Sequence, residues 1–163
     1  MIVIADTGPL NYLVLVQQAD LLQRLFHRVL IPPAVFDELQ APETPIAVRE
    51  WLSQQPAWLE VQPLRRDPDS QLDYLDSGER EAIALAEDLK ADQILLDETE
   101  ARREAQRRNL PVIGTLGVLR RASQLGWIDL RFTLQKLQQT TFYIRPELIQ
   151  TLLAEDAERK NRR

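Results

Sequence analysis

Residues Ile2-Val3-Ile4-Ala5 are apolar without interruption, and the run stops on an acid, Asp6. A strand with one wet face alternates, whereas an unbroken apolar run suits a strand buried on both faces, as inside a parallel sheet. The same signature returns at residues 93–96, ending on Asp97, and further strands are expected at 28–31, 58–61 and 110–113. Helical patterns separate them, at 10–16, 19–26, 34–39, 46–54, 76–87, 98–108, 116–124, 130–139 and 146–158. Strands alternating with helices predict an α/β fold, a three-layer α/β/α domain with a central, mostly parallel sheet and extra carboxyl-terminal helices. The expected division is a domain over residues 1–126 and a helical extension over 127–163 packed on it.

Punctuation supports these bounds. Thr7-Gly8-Pro9 reads as a turn releasing into a helix, Asp20 is placed to cap the next one, and Pro33 suits a first helical turn. Gly126 closes the helix before it. Residues 65–76 are polar and turn-rich, a surface loop, and the basic tail 159–163 is expected to fray.

Composition narrows the chemistry. The chain of 163 residues has no cysteine and one histidine, His27, so thiolate and multi-histidine metal sites are excluded. His27 and the three tryptophans read as packing or sheet-edge residues. No stretch approaches a membrane span, and the amino terminus is strand-like without a basic leader, so a cytoplasmic protein is the expectation. A formal charge of −5 argues against a general nucleic-acid coat but leaves room for an enzyme whose site concentrates carboxylates. Aromatic and basic residues interleave too sparsely along the chain to suggest a stacking platform for single strands.

Asp6 and Asp97 each follow a buried strand, where open parallel sheets place their ligands. Each could equally cap the following helix; two such strands in one sheet favour a shared site. Glu79 falls on the inner side of its helix, in phase with Ala82 and Ile83, while Glu81 falls towards the outer edge. A capping box, Asp76-x-x-Glu79, is the competing account. Glu38 flanks the face set by Val35, Phe36 and Leu39 more closely than Asp37 does, and alone reads as a solvated helix residue. Arg102, Arg103, Arg107 and Arg108 lie on the helix after Asp97; part of this charge is i,i+4 surface pairing, and part could hold phosphates.

Gathered together, Asp6, Glu38, Glu79 and Asp97 would repel unless protonated or neutralised. Oxygen-only donors select hard cations, Mg2+ or Mn2+, which activate water for phosphodiester hydrolysis. An aspartyl-phosphate mechanism at Asp6 is disfavoured, because Gly8 stands where a second acid would be needed. No Gly-rich phosphate loop is present.

Four stretches resemble the PIN-domain nucleases, named for the PilT amino terminus: Ala5-Asp6-Thr7, residues 31–39, residues 78–86, and Leu95-Leu96-Asp97. The Asp-Thr-Gly-Pro-Leu start and residues 114–119 are similar to a prokaryotic and cyanobacterial branch of that family. The resemblance implies a Mg2+- or Mn2+-dependent endoribonuclease, often the toxin of a toxin–antitoxin pair, with RNA as substrate, a small antitoxin protein as partner and a homodimer as the common assembly. It gives the acidic-site and metal-ligand roles to Asp6, Glu38, Glu79 and Asp97. The Thr7 hydroxyl would order a metal-bound water, and Arg102 and Arg103 would contact substrate. Two departures stand out. The third acid is Glu79 where the family usually has Asp, with Glu81 nearby. At the fourth, Asp97-Glu98-Thr99 replaces a Thr-x-Asp order, which leaves Asp97 and Glu98 as alternatives. The other reading is a PIN-like module that binds RNA or protein without cutting.

Overall fold

The computed structural model describes residues 1–162. Five strands form one sheet: β1 (Val3–Ala5), β2 (Val29–Ile31), β3 (Leu59–Val61), β4 (Gln93–Leu95) and β5 (Val112–Ile113). Their order is β3-β2-β1-β4-β5 and each adjacent pair is parallel. β1 is therefore central and fully buried, as its unbroken apolar run requires. Successive strands run outward from β1 on one side through β2 and β3, then restart at β4 on the other. The gap between the carboxyl ends of β1 and β4 is the switch point at which such sheets bind ligands. Asp6 and Asp97 flank it.

The chain divides into two compact units, residues 1–115 and 116–163. In the first, α1 (Thr7–Leu15) starts directly after Asp6, so Thr7-Gly8-Pro9 is its first turn and not a separate one. It is followed by α2 (Leu21–Phe26), α3 (Pro33–Leu39), α4 (Ile46–Ser53), α5 (Ser77–Leu89) and α6 (Thr99–Arg107). Asp20 stands at the start of α2 but makes no side-chain cap hydrogen bond, being itself in a helical conformation at φ −65°. His27 ends α2 at φ 68°, and Trp51 packs near Trp58 with ring centroids 6.0 Å apart. The loop over 65–76 contains one 3-10 turn, Ser70–Leu72, whose Leu72 is buried. One core cluster joins Ile4 and Ile94 of the sheet to Ala82, Ile83, Leu85 and Ala86 of α5 and Ala101 and Ala105 of α6.

The second unit consists of the rest of α7 (Thr115–Gln124), with α8 (Leu130–Gln138) and α9 (Pro146–Asn161). Gly126 adopts φ 75°, a left-handed conformation that suits glycine after a helix end, and its amide donates to Ser123. The tail does not fray at 159. Asp156 is buried, accepts from Ser123 Oγ at 2.6 Å, and pairs with Arg159 and Lys160 one turn on, which carries α9 through Asn161. Arg163 lies outside the described residues. Among those described, no helix is long and apolar enough to cross a membrane.

Candidate active site

The register fixes where each acid emerges. Ala5 lies beside Leu95, and the Asp6 amide donates to the Leu95 carbonyl at 3.0 Å. Asp6 is thus stitched to β4 and buried at 6% exposure. Burial pushes its carboxyl well above the ordinary range; the Thr7 amide opposes this, and the charges of Asp76, Glu79 and Glu38 reinforce it. Three further acids therefore press on one buried carboxyl.

Glu38 reaches this centre from α3. Its Oε2 accepts from Thr7 Oγ1 at 2.6 Å and its Oε1 from the Gly78 amide at 3.1 Å. Gly78 has no Cβ to obstruct the approach: one placed there would stand 2.6 Å from Glu38 Oε1 and 3.1 Å from Asp6 Oδ1. The amino end of α5 consequently closes over both carboxylates, and its partial positive charge faces them. Thr7 acts here by fixing Glu38.

Glu79 is buried and makes the capping box. Its amide donates to Asp76 Oδ1 at 2.8 Å while Asp76's amide donates to Glu79 Oε1 at 3.2 Å. The two readings of Glu79 are compatible, because the cap occupies one oxygen while the charge remains close enough to Asp6 to act on it. Burial, then repulsion from Asp76, raises Glu79 to about 7. Asp76 escaped sequence reasoning as a site residue, although the capping pattern drew attention to it. Glu81 is engaged elsewhere, accepting from the Ala34 amide in the first turn of α3 at 3.0 Å.

Asp97 takes a different arrangement. Its Oδ1 accepts from the Thr115 amide at 2.8 Å and its Oδ2 from Thr115 Oγ1 at 2.7 Å, so it caps α7 with both oxygens. A Cβ on Gly8 would lie 3.5 Å from Oδ2, which puts Asp97 against the first turn of α1. Burial raises its carboxyl, the two Thr115 bonds oppose that, and Arg102 adds a smaller opposing charge. Arg102 itself donates to the Leu96 carbonyl at 2.9 Å, beside Asp97. Arg103 is exposed on another face of α6, next to Tyr74, Glu104 and Arg107. Asp6, Glu38 and Glu79 thus stand together with Asp76 beside them, and Asp97 stands at the first turn of α1, held by Thr115.

A family model described as a PIN domain matches residues 2–158. The chain belongs to the PIN domain family. Its members are in general metal-dependent nucleases, which agrees with an acid-lined switch point. No curated protein matches the chain. Among solved structures it is similar to a PilT N-terminus domain protein, SSO1118, from the hyperthermophilic archaeon Sulfolobus solfataricus P2. That likeness has 14% identity and a TM-score of 0.51, covers 89% of this chain and 100% of the other, and speaks for the fold.

The residues of this PIN domain fit a hard divalent cation by donor chemistry. The donors are all oxygen, Gly78 leaves the cradle between Asp6 and Glu38 open, and neighbouring acids add to the burial that raises Asp6, a load a cation would relieve. As the side chains stand, no three metal-ligating side chains converge among the described residues. Glu79 would have to exchange its bond to Asp76 for the cation to complete the set.

Proposed function

We propose that this PIN domain is a cytoplasmic endoribonuclease that hydrolyses RNA phosphodiester bonds with Mg2+ or Mn2+ and serves as the toxin of a toxin–antitoxin pair. The observation that carries the reading is the convergence of Asp6 and Glu38 under Gly78, with Glu79 adding its charge beside them.

Asp6, Glu38 and Glu79 would hold the cation, and Asp97 would support them by holding Thr115 near the first turn of α1. A bound divalent cation supplies Lewis acidity for the attack of water on phosphorus. Everything else falls to the chain. Thr7 and the Gly78 amide hold the two oxygens of Glu38 in fixed directions. The Leu95 carbonyl keeps the backbone of Asp6 in place. Glu79, raised to about 7 by burial and by Asp76, keeps Oε1 on the Asp76 amide until a cation takes that bond's place. Arg102, aligned beside Leu96 and Asp97, offers a cation for a substrate phosphate.

Purified protein is incubated with a structured RNA pool in manganese or EDTA, beside Asp6→Asn. Cleavage requiring both metal and Asp6 supports the nuclease; metal-independent cleavage, or full activity in the variant, overturns it. Growth arrest on expression, relieved by a small co-purifying protein, tests the toxin role. Size-exclusion chromatography tests the homodimer. The capture of both Asp97 oxygens by Thr115 favours one alternative, a module that binds RNA without cutting. It gains ground if folded, inhibitor-free protein binds RNA but leaves it intact.

A further inference from the structure

Tyr74 is 56% exposed, yet its hydroxyl is tied down: it donates to Glu104 Oε1 at 2.6 Å. Glu104 is buried and is itself held by Arg107 and by Arg108, the latter at 2.9 Å. Arg108 in turn bonds Asp69 and Glu87, each within 2.8 Å. An aromatic ring that faces water is therefore locked at its far end into a charged network, and its orientation is fixed in advance. Tyr74, Arg103, Glu104 and Arg107 line a concavity of about 340 Å³, within the size range of small-ligand sites. Arg103 is exposed and has no carboxylate partner among the described residues.

The patch is linked along the chain to the acidic centre through both of its elements. Tyr74 precedes Asp76, the cap of α5 that acts on Asp6 and Glu79, by two residues. Arg103 stands one turn beyond Thr99, and Glu98, the residue just before α6, also acts on Glu79. Tyr74 and Glu104 are thirty residues apart in the chain, so the fold assembles an aromatic and cations that no local spacing reveals. A fixed, exposed aromatic beside cations is what an unpaired nucleotide needs: a face on which a base can stack and a charge for its phosphate. A duplex keeps its base faces covered and gains little from such a ring.

We propose that Tyr74, Arg103 and Arg107 form a subsite for one unpaired nucleotide of single-stranded RNA, the base stacking on Tyr74 and the phosphate held by Arg103. The subsite selects unpaired segments for the neighbouring acidic centre, and in that respect rests on the ribonuclease reading. Glu104 is the positioning residue: it sets the ring through the hydroxyl and restrains Arg107.

The test separates binding from cleavage. Affinity for a fluorescent ten-nucleotide single-stranded RNA is measured in EDTA, with the same sequence as a duplex and as single-stranded DNA in parallel. Tyr74→Ala is expected to weaken single-strand binding roughly 5- to 100-fold, and Tyr74→Phe, which keeps the ring, by about threefold or less. Arg103→Ala, an exposed change that leaves the fold alone, is expected to cost several-fold and to reduce the salt dependence by about one phosphate contact. Duplex affinity should not respond to Tyr74→Ala. Unchanged single-strand affinity in both Tyr74→Ala and Arg103→Ala overturns the subsite, as does equal loss for duplex and single strand, or no binding by the unaltered protein. Metal-dependent cleavage measured separately keeps the two readings apart. Cleavage without Tyr74-dependent binding removes the subsite alone, and Tyr74-dependent binding without cleavage removes the nuclease alone.

Discussion

Glu38 and Gly78 lie in contact across forty residues of sequence: the glycine amide donates to Oε1 at 3.1 Å, and a Cβ on that glycine would stand 2.6 Å from the same oxygen. Gly78 has no positive φ, so alanine meets no backbone strain there. Within a helix alanine is preferred to glycine by up to about 1 kcal/mol, and the obstructing atom ends a side chain that can swing aside. Displacing Glu38 forfeits its bonds to Thr7 and the Gly78 amide, about 1–3 kcal/mol, so Gly78→Ala is expected to lower the melting temperature modestly while cleavage falls at least about tenfold. Melting curves and single-turnover rates on one preparation check this; equal loss of stability and rate would mean that the glycine serves packing alone.

Asp6→Asn should be more stable than the parent in EDTA at neutral pH. The sign follows from the raised carboxyl of Asp6: the folded state holds its proton to higher pH than the unfolded chain, so stability falls as pH rises above the unfolded value of 3.8 and stays reduced above the folded one. Replacing a buried, uncompensated acid is worth about 1 kcal/mol or more, roughly 2–4 °C for a chain of this size. Adding manganese should stabilise the parent and leave the variant unmoved. Thermal melts with and without metal provide the comparison.

Asp97→Asn is expected to separate the flanking acid from the centre. Losing charge-assisted acceptance of the two Thr115 donors costs about 1–2 kcal/mol. Cleavage should fall less than tenfold, against abolition in Asp6→Asn. Urea unfolding gives the first quantity and a cleavage time course the second. Abolished cleavage in a fully stable variant would restore Asp97 to the metal set.

Glu104 governs acid stability away from the centre. Bonds from Arg107, then Tyr74, then Arg108 hold it down to about 2 against burial. A depressed carboxyl contributes stability that is present above the unfolded value of 4.5 and is lost as pH falls towards 2. Glu104→Gln should cost about 2 kcal/mol at neutral pH and flatten the decline between pH 4.5 and 2. Denaturation midpoints across that interval decide the matter.

The inner strands β1, β2 and β4 were legible because burial on both faces leaves a largely apolar run; the edge strand β3 carries Glu60 and exposes it with Val61. Asp6 and Asp97 looked equivalent for the same reason. They differ in place: Ala5 pairs with Leu95, so Asp6 follows its strand directly while Asp97 lies two residues past β4, where Thr115 takes both its oxygens. Helical phase found the inner position of Glu79 and the capping pattern its bond to Asp76; only the fold shows that one residue does both. The retained order of the tail depends on Ser123 meeting Asp156, thirty-three residues away, a separation beyond any local pattern. Tyr74 was invisible as a site residue because its neighbours come from α6.

The position of β1 in the middle of the sheet also has a bearing on biosynthesis. Val3–Ala5 is made first, but one of its two neighbours, Gln93–Leu95, emerges only after Asp6, Glu38 and Glu79 have all been synthesised. Until then the Asp6 amide lacks the Leu95 carbonyl, and the β4 side of the cleft does not exist. A nascent chain thus carries its acids unassembled on the ribosome until that late strand docks.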